Sequence, residues 1–210
     1  MSHLLSIEAD GPDAARTALE RTVQEGGVVV FPADGLYAIA CDPLNEAAIR
    51  RIHRIKGRDD GKPSAVMFFN PLAMRELIAG LGPGARGAMA ALLPGPVTLV
   101  VANPERRYPL AAREDPERLG IRLIEGPLAG AACPLFQTSA NRSGGASPGS
   151  FAEVDTGIVE AVDLAIDGGE LTGEPSTVID VTALEHGGEW TILREGALSV
   201  AEVAARLDLD

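Results

Sequence analysis

The stretch AARTALERTVQEGGVVVFP, residues Ala14 to Pro32, decides the fold class of this chain. Apolar residues recur at helical spacing from Ala14 to Gln24, and Gly26-Gly27 ends that pattern. A run of β-branched and aromatic residues, Val28 to Phe31, follows and is stopped by Pro32. A helix, a tight turn and a buried strand in this order are typical of a domain that packs helices on a sheet.

The alternation of helices and strands continues along the chain. Asn45 to Ile55 begins with a capping residue and sets an apolar stripe opposite three arginines, which predicts a second helix that ends near Lys56. The whole pattern predicts one α/β (α+β) domain over residues 1–210, without an internal repeat or linker. Further predicted helices cover 73–81, 87–93, 128–133 and 200–207, and further predicted strands cover 65–69, 97–102, 120–123, 136–137, 162–166, 176–181 and 190–193.

Charge and cysteine usage restrict the possible partners and compartment. The chain has 18 Lys and Arg against 30 Asp and Glu and a formal charge of -12, which opposes direct RNA or DNA binding over a broad surface. With only two cysteines and no cationic start followed by an apolar run, a reducing cytoplasm is predicted. The longest apolar runs, such as 88–93 and 97–102, are far shorter than the roughly 20 residues of a membrane span.

Two segments carry groups suited to phosphates and small oxyanions. Lys56-Gly57-Arg58 places two cations where a helix is predicted to end, although such cations also balance the negative pole of a helix. Gln137 to Gly144 carries two hydroxyls and an amide on a Gly-closed turn, and the next Gly/Ser/Pro stretch ends in Ser147-Pro148. Such a stretch can be an ordinary Ser/Asn turn, or it can expose backbone amides to phosphate. Together the segments indicate nucleotide chemistry, without the spacing of a P-loop.

Two arginines stand in apolar surroundings. Arg122 lies between Ile121 and Leu123 on a predicted strand, and Arg194 follows Leu193 near the end of the chain. An unpaired buried charge is costly, so each arginine is expected to have a carboxylate, a phosphate or a ligand as its partner.

The histidines and cysteines do not suggest a metal or a nucleophile. His3, His53 and His186 are scattered and are predicted to lie on the surface, and no cluster has zinc-ligand spacing. Cys41 and Cys133 have no neighbouring cation that would stabilise a thiolate. Covalent catalysis and a protein-held metal are therefore not predicted.

Eight short motifs follow one another in order, and none is specific alone. They are Pro32-x-Asp34-x-x-Tyr37, Lys56-x-Arg58, Pro94-Gly95-Pro96-Val97-Thr98, Arg122, Ser139-Ala140-Asn141-x-Ser143-Gly144, Asp167-Gly168-Gly169, Ser176-Thr177-Val178 and Leu193-Arg194-x-Gly196. As a series they resemble the threonylcarbamoyl-adenylate synthase family in its short, YrdC-type form. The resemblance covers residues 15 to 200.

The resemblance implies an open twisted sheet of mixed strands, with flanking helices and a large concave cavity. It implies a nucleotidyltransferase that uses ATP with Mg²⁺, L-threonine and bicarbonate and releases threonylcarbamoyl-adenylate and pyrophosphate. The adenylate would then be handed to a tRNA threonylcarbamoyltransferase complex for the modification of transfer RNA.

The resemblance also implies roles for particular residues. Lys56 and Arg58 are predicted to act as electrostatic clamps on phosphorus and carbamate, without covalent modification. By motif, the catalytic residues are Lys56, Arg58, Ser139 and Asn141, those that bind the nucleotide are Arg58, Lys62, Ser139, Ser147 and Arg194, and those on the amino-acid side are Gly35, Met67, Arg122 and Thr177.

Several positions depart from the usual pattern of that family. Its members commonly carry Thr at the positions of Ala33 and Gly35, Gly at Ala38 and often His at Met67. Because the departures concentrate on the amino-acid side, ATP binding is predicted to persist while the identity of the acceptor stays open. Two alternatives follow: a divergent paralogue that transfers a carbamoyl group to another acceptor, and a non-catalytic RNA-binding protein, which the acidic charge opposes.

Overall fold

A mixed β-sheet organises the residues that the computed structural model describes, 3–57 and 63–207. Within these residues the strands are β1 His3–Ser6, β2 Val29–Pro32, β3 Tyr37–Cys41, β4 Val66–Phe68, β5 Val97–Ala102, β6 Arg118–Leu123, β7 Leu135–Ser139, β8 Leu164–Asp167, β9 Thr177–Asp180 and β10 Thr191–Arg194. The α-helices are α1 Ile7–Asp10, α2 Pro12–Gln24, α3 Glu46–Lys56, α4 Arg75–Ala79, α5 Pro83–Leu92, α6 Pro109–Ala112, α7 Thr156–Ala161 and α8 Val200–Leu207. Short 3₁₀ turns lie at Pro71–Met74, Phe151–Glu153 and Thr182–His186.

The strand order is β1-β8-β2-β3-β7-β4-β6-β5-β9-β10. Neighbours run parallel in four pairs, β1 with β8, β2 with β8, β4 with β6 and β5 with β9, and antiparallel in the other five. This arrangement confirms the predicted α/β class and the open sheet of mixed strands.

The two faces of the sheet are covered unequally. The larger hydrophobic core lies on one face, where α3 packs against β3 and α5 packs against β5. A smaller cluster lies on the other face, where α2 packs against β2, β3 and β8. The members of this smaller cluster do not include residues of β5, β6, β9 or β10. That half of the second face is lined by polar and charged side chains instead.

Helix α3 ends at Lys56, whose side chain reaches the turn that follows β7. The side chain of Asn45 caps its first turn by accepting the N–H of Ala48 at 3.0 Å, and Gly57 ends it in the left-handed region at φ 61°. The prediction that His53 lies on the surface is wrong, because it is 3% exposed. It follows Ile49 by four residues, so the helix turns it inward, and its ring centre lies 6.0 Å from that of Phe136.

Two differences from the sequence-based elements have local causes. The predicted helix at 128–133 is a series of turns, in which Gly126 and Gly130 adopt positive φ angles of 121° and 91° that an α-helix excludes. Strand β3 was not predicted, since two alanines dilute its β-branched and aromatic content. All five of its residues are buried, between β2 and β7.

The Asp167-Gly168-Gly169 motif anchors the hydroxyl of Tyr37. This hydroxyl donates to the carbonyl of Gly169 at 2.9 Å and accepts the N–H of Gly168 at 2.8 Å. Burial raises the pKa of Tyr37 to about 12. A Cβ on Gly168 would lie 2.5 Å from Cγ of Pro32, so this position has no room for a side chain. The motif therefore joins β8 to the β2–β3 hairpin.

Replacement of Tyr37 by Phe is expected to lower the free energy of unfolding by about 1–2 kcal/mol, because two hydrogen bonds lose their shared partner. Urea denaturation measures this change. The matched control is Tyr108→Phe, whose hydroxyl makes no hydrogen bond to the described residues. An equal loss in both variants would contradict the proposed anchor.

Candidate active site

A cavity of about 450 Å³ occupies the uncovered half of the second sheet face. Strand alternation explains its chemistry, since Val97, Leu99 and Val101 point into the large core while Thr98 and Val100 line the cavity. The cavity wall also includes residues of β6, the loop after β2, the end of β7 and the segment before β9. Those that bear charges or hydroxyls are Asp34, Tyr37, Ser64, Thr98, Asp115, Arg118, Arg122, Thr138, Ser139, Ser147, Glu174, Ser176 and Arg194.

Lys56 holds the turn that follows β7. It is 4% exposed, and its ammonium donates to the carbonyls of Ser139 and Asn141 and to Oδ1 of Asn141, the last two at 2.7 and 3.3 Å. The hydroxyl of Ser139 donates to the same Oδ1 at 2.5 Å. The structure thus brings Lys56, Ser139 and Asn141 together, as their shared motif series predicts. Of the three, Ser139 contributes to the cavity wall. The predicted residues Arg58 and Lys62 lie outside the described residues.

Arg122 and Asp34 form an ion pair in the cavity wall. The side chain of Arg122 is 8% exposed and that of Asp34 is 19% exposed. Nη2 of Arg122 donates to Oδ1 of Asp34. The expectation that a buried Arg122 has an anionic partner is therefore confirmed.

Arg194 also lines the cavity, from the edge strand β10. Its Nη2 donates to the carbonyl of Ser176 at 2.7 Å and to the hydroxyl of Ser176 at 3.1 Å, and that hydroxyl lies 2.9 Å from Oγ1 of Thr98. Partial burial, and then the positive charge of Arg122, lower the pKa of Arg194. Within the described part of the chain Arg194 has no carboxylate partner. It is a cation available to an anionic ligand.

A strap, residues 170–175, crosses the rim beside the loop after β2. It is fixed by main-chain bonds, from Leu171 N–H to the carbonyl of Gly149 at 2.7 Å and from Gly173 N–H to the carbonyl of Gly35 at 2.9 Å. A Cβ on Gly35 would lie 2.1 Å from the carbonyl oxygen of Glu174. Gly35 is thus required for the strap to approach, and Glu174 and Pro175 complete the cavity wall.

Three of the residues predicted on the amino-acid side do not line the cavity. Gly35 lies behind the strap. Met67 pairs in register with Arg122, but its side chain is fully buried in the smaller core cluster. Thr177 is fully buried, and its hydroxyl donates to the carbonyl of Leu198 at 2.7 Å and accepts the N–H of Leu198 at 2.9 Å. The packing of these residues does not support direct contact with a ligand.

Sequence reasoning did not identify Asp34 or Arg118 as site residues. Asp34 stands in the quoted motif at the end of β2. Arg118 precedes Arg122 by four residues on one strand, so the period of two places both on the same face. Arg118 pairs with Asp180 and lies 3.5 Å from the carboxylate of Asp115. The spacing of the two arginines is the sequence signal that Arg118 shares the cavity face with Arg122.

Burial keeps both cysteine thiols protonated. Burial raises the pKa of Cys41 to about 12 and that of Cys133 to about 11, so neither is a thiolate at neutral pH.

Among residues 3–57 and 63–207, no group of three or more His, Cys, Asp or Glu side chains is placed to hold a metal ion. No helix in that part of the chain is long and apolar enough to cross a membrane.

Known proteins resemble this chain over most of its length. The family model of the Sua5, YciO and YrdC proteins, described as "Telomere recombination", matches residues 21–196. The threonylcarbamoyl-AMP synthase of Thiobacillus denitrificans is 33% identical over 179 residues, which are 82% of this chain and 94% of that protein. A putative threonylcarbamoyl-AMP synthase of Methanocaldococcus jannaschii is 29% identical over 189 residues, 89% of this chain and 87% of that protein.

Solved structures of this family have the same fold as this chain. P. abyssi Sua5 complexed with L-threonine superposes with a TM-score of 0.82 at 26% identity and covers 98% of this chain. This chain spans 60% of the length of that Sua5 chain. E. coli YciO superposes with a TM-score of 0.78 at 27% identity, over 97% of this chain and 100% of YciO.

Replacement of Lys56 by Met is expected to lower the free energy of unfolding by about 2–3 kcal/mol, because partly buried oxygens of Ser139 and Asn141 lose a charged donor. Urea denaturation checks this. Arg54→Met is the matched control on the exposed side of α3 and should change the stability by less than about 0.5 kcal/mol. If the Lys56→Met variant is as stable as the unaltered protein, the ammonium does not hold the turn.

Proposed function

Because this chain belongs to the Sua5/YciO/YrdC family, we propose that it is an L-threonylcarbamoyladenylate synthase. The amine nitrogen of L-threonine bonds to the carbon of bicarbonate, with loss of water, and forms a carbamate. A carbamate oxygen then bonds to the α-phosphorus of ATP, and the bond from that phosphorus to the bridging oxygen breaks. The products are threonylcarbamoyl-adenylate and pyrophosphate.

The observation that carries this proposal is one cavity that contains both an ion pair and an arginine without a carboxylate partner among the described residues. Asp34 and Arg122 form the ion pair, while Arg194, Ser139 and Ser147 present a cation and hydroxyls to the same cavity. The volume of about 450 Å³ lies within the range of roughly 300–1,000 Å³ that is usual for ligand sites. A site of this kind can hold an amino acid and a nucleotide side by side, which is the main requirement of a reaction driven by positioning.

We assign the nucleotide to Ser139, Ser147 and Arg194, which all line the cavity, together with the predicted Arg58 and Lys62. A guanidinium without a carboxylate partner suits a phosphate, because it can donate two parallel hydrogen bonds. Mg²⁺ would be held chiefly by phosphate oxygens and water. In the described cavity wall, Glu174 is a carboxylate with no cationic partner, so it fits the charge of a bound magnesium ion.

We assign the acceptor amino acid to the wall that contains Arg122. Met67 pairs in register with Arg122 and is fully buried, so it would support this wall without contacting the ligand. Lys56 and Asn141 keep Ser139 at the cavity edge by holding the turn after β7. Electrostatic stabilisation by the predicted clamps would then supply the acceleration without a covalent enzyme intermediate.

The product suggests the next step and the compartment. A carbamoyl-adenylate is a reactive mixed anhydride, which supports direct handover to a tRNA threonylcarbamoyltransferase complex. Because ATP, bicarbonate and transfer RNA meet in the cytoplasm, the proposed reaction supports a cytoplasmic location.

The protein incubated with ATP, Mg²⁺, bicarbonate and L-threonine is expected to form threonylcarbamoyl-adenylate and an equal amount of pyrophosphate. Mass spectrometry identifies the adenylate, and parallel reactions with serine, glycine or no amino acid identify the acceptor. Carbamoyl-adenylate formed with ammonia in place of the amino acid would favour the divergent paralogue. A salt-dependent gel shift with RNA and no adenylate would favour the RNA-binding alternative.

Replacement of Arg194 by Gln is expected to weaken ATP binding by about 10- to 100-fold, because a charged hydrogen bond is worth about 1.5–3 kcal/mol. Isothermal titration with ATP measures this. Arg206→Gln, on the exposed face of α8, is the control and should leave the affinity unchanged. If Arg194→Gln binds ATP as the unaltered protein does, the nucleotide does not lie against β10.

A further inference from the structure

The Asp34–Arg122 pair is the most buried ion pair of the described cavity wall. The pair leaves two polar atoms without a hydrogen-bond partner in the described part of the chain, Oδ2 of Asp34 and Nε of Arg122. Unpartnered buried atoms of this kind are uncommon and require an explanation. The guanidinium of Arg122 therefore has donor capacity that Asp34 does not use.

The loop that carries Asp34 is held in place from both sides. Oδ1 of Asp34 accepts the N–H of Gly35 at 3.1 Å, and the N–H of Ala33 donates to the carbonyl of Leu36 at 3.1 Å. The strap closes over the loop, since Gly173 donates to Gly35 and the absence of a Cβ admits Glu174. Asp34 thus has a fixed backbone from which to hold the longer side chain of Arg122.

Arg122 lines the same cavity as a second cation, Arg194. The positive charge of Arg122 contributes to the lowered pKa of Arg194. Without Asp34, the positive charge of Arg122 would add to that of Arg194 in the same cavity. Asp34 neutralises Arg122, whereas Arg194 has no carboxylate partner in the described wall, so the two guanidiniums differ electrostatically.

We propose that Asp34 is a positioning residue that orients the guanidinium of Arg122 toward the carboxylate of the acceptor amino acid. This inference rests on the proposed function, because it takes an amino acid as the ligand of that wall. Asp34 acts through Arg122 and need not touch the acceptor. In the opposite role, Asp34 would compete with the acceptor carboxylate for Arg122. Replacement of Asp34 by Asn would then make threonine bind more tightly.

The first test is isothermal titration of Asp34→Asn with L-threonine and, separately, with ATP. Positioning predicts about 10- to 100-fold weaker threonine binding, the scale of one charged hydrogen bond, while ATP affinity stays within about twofold. In turnover, KM for threonine should rise more than kcat falls. Asp34→Glu should recover part of the affinity, and the control Asp13→Asn, whose side chain is 86% exposed, should change neither ligand. Unchanged or tighter threonine binding by Asp34→Asn would overturn the proposal.

The second test separates positioning from a purely structural role. Loss of Asp34 leaves the Arg122 charge unpaired and can unfold the protein. The double variant Asp34→Asn/Arg122→Gln removes both charges and should recover stability in urea denaturation, yet still bind threonine about 10-fold or more weakly. Recovery of threonine binding together with stability would overturn the proposal. If Asp34→Asn does not fold, threonine titration of Asp34→Glu decides, because it keeps the charge and moves it by one methylene: weaker binding supports the proposal, and unchanged binding overturns it.

These outcomes also separate this inference from the proposed function. If the unaltered protein binds serine or glycine and not threonine, the proposed acceptor is wrong. The effect of Asp34 can then be measured with the amino acid that does bind. If the unaltered protein makes the adenylate and Asp34→Asn binds threonine normally, the proposed function stands and the role of Asp34 fails.

Discussion

The whole site depends on the pleat of β5, β6 and β9. Successive side chains of a strand point to opposite faces, so one series of residues builds the large core and the alternate series faces the cavity. Leu119, Ile121 and Leu123 pack into the core, while Arg118, Gly120 and Arg122 line the cavity between them. Stability and chemistry therefore share the same strands, and a shift of register by one residue would exchange them.

The ionic pairs of the cavity reconcile an acidic chain with anionic ligands. A protein with a formal charge of -12 repels a polyphosphate at long range, so the attraction must be local. Arg122 and Arg118 are each paired with carboxylates, whereas Arg194 is bonded to Ser176 instead. In the described cavity wall, Arg194 is thereby left as the arginine without a carboxylate partner, while ion pairs hold the other two arginines in place.

Local patterns predicted the elements well and the contacts between them poorly. Val97–Ala102 was predicted with its bounds, because a β-branched run follows a Pro-Gly-Pro turn. The helix at 128–133 failed because apolar spacing does not reveal that Gly126 and Gly130 take positive φ. Motifs placed Lys56 beside Asn141, but no local signal showed that Met67 is buried or that the strap excludes a side chain at Gly35. Such facts depend on segments distant in sequence.

The strap over the cavity rim is secured by its own backbone, through the bonds of Leu171 and Gly173. The side chains of Thr172 and Glu174 are exposed, and neither supplies these anchoring bonds. Anchorage and side-chain identity are thus separated in one short segment. A library randomised at these two positions could alter the chemistry at the cavity mouth while the surrounding scaffold keeps its shape, which makes this segment a natural starting point for directed evolution.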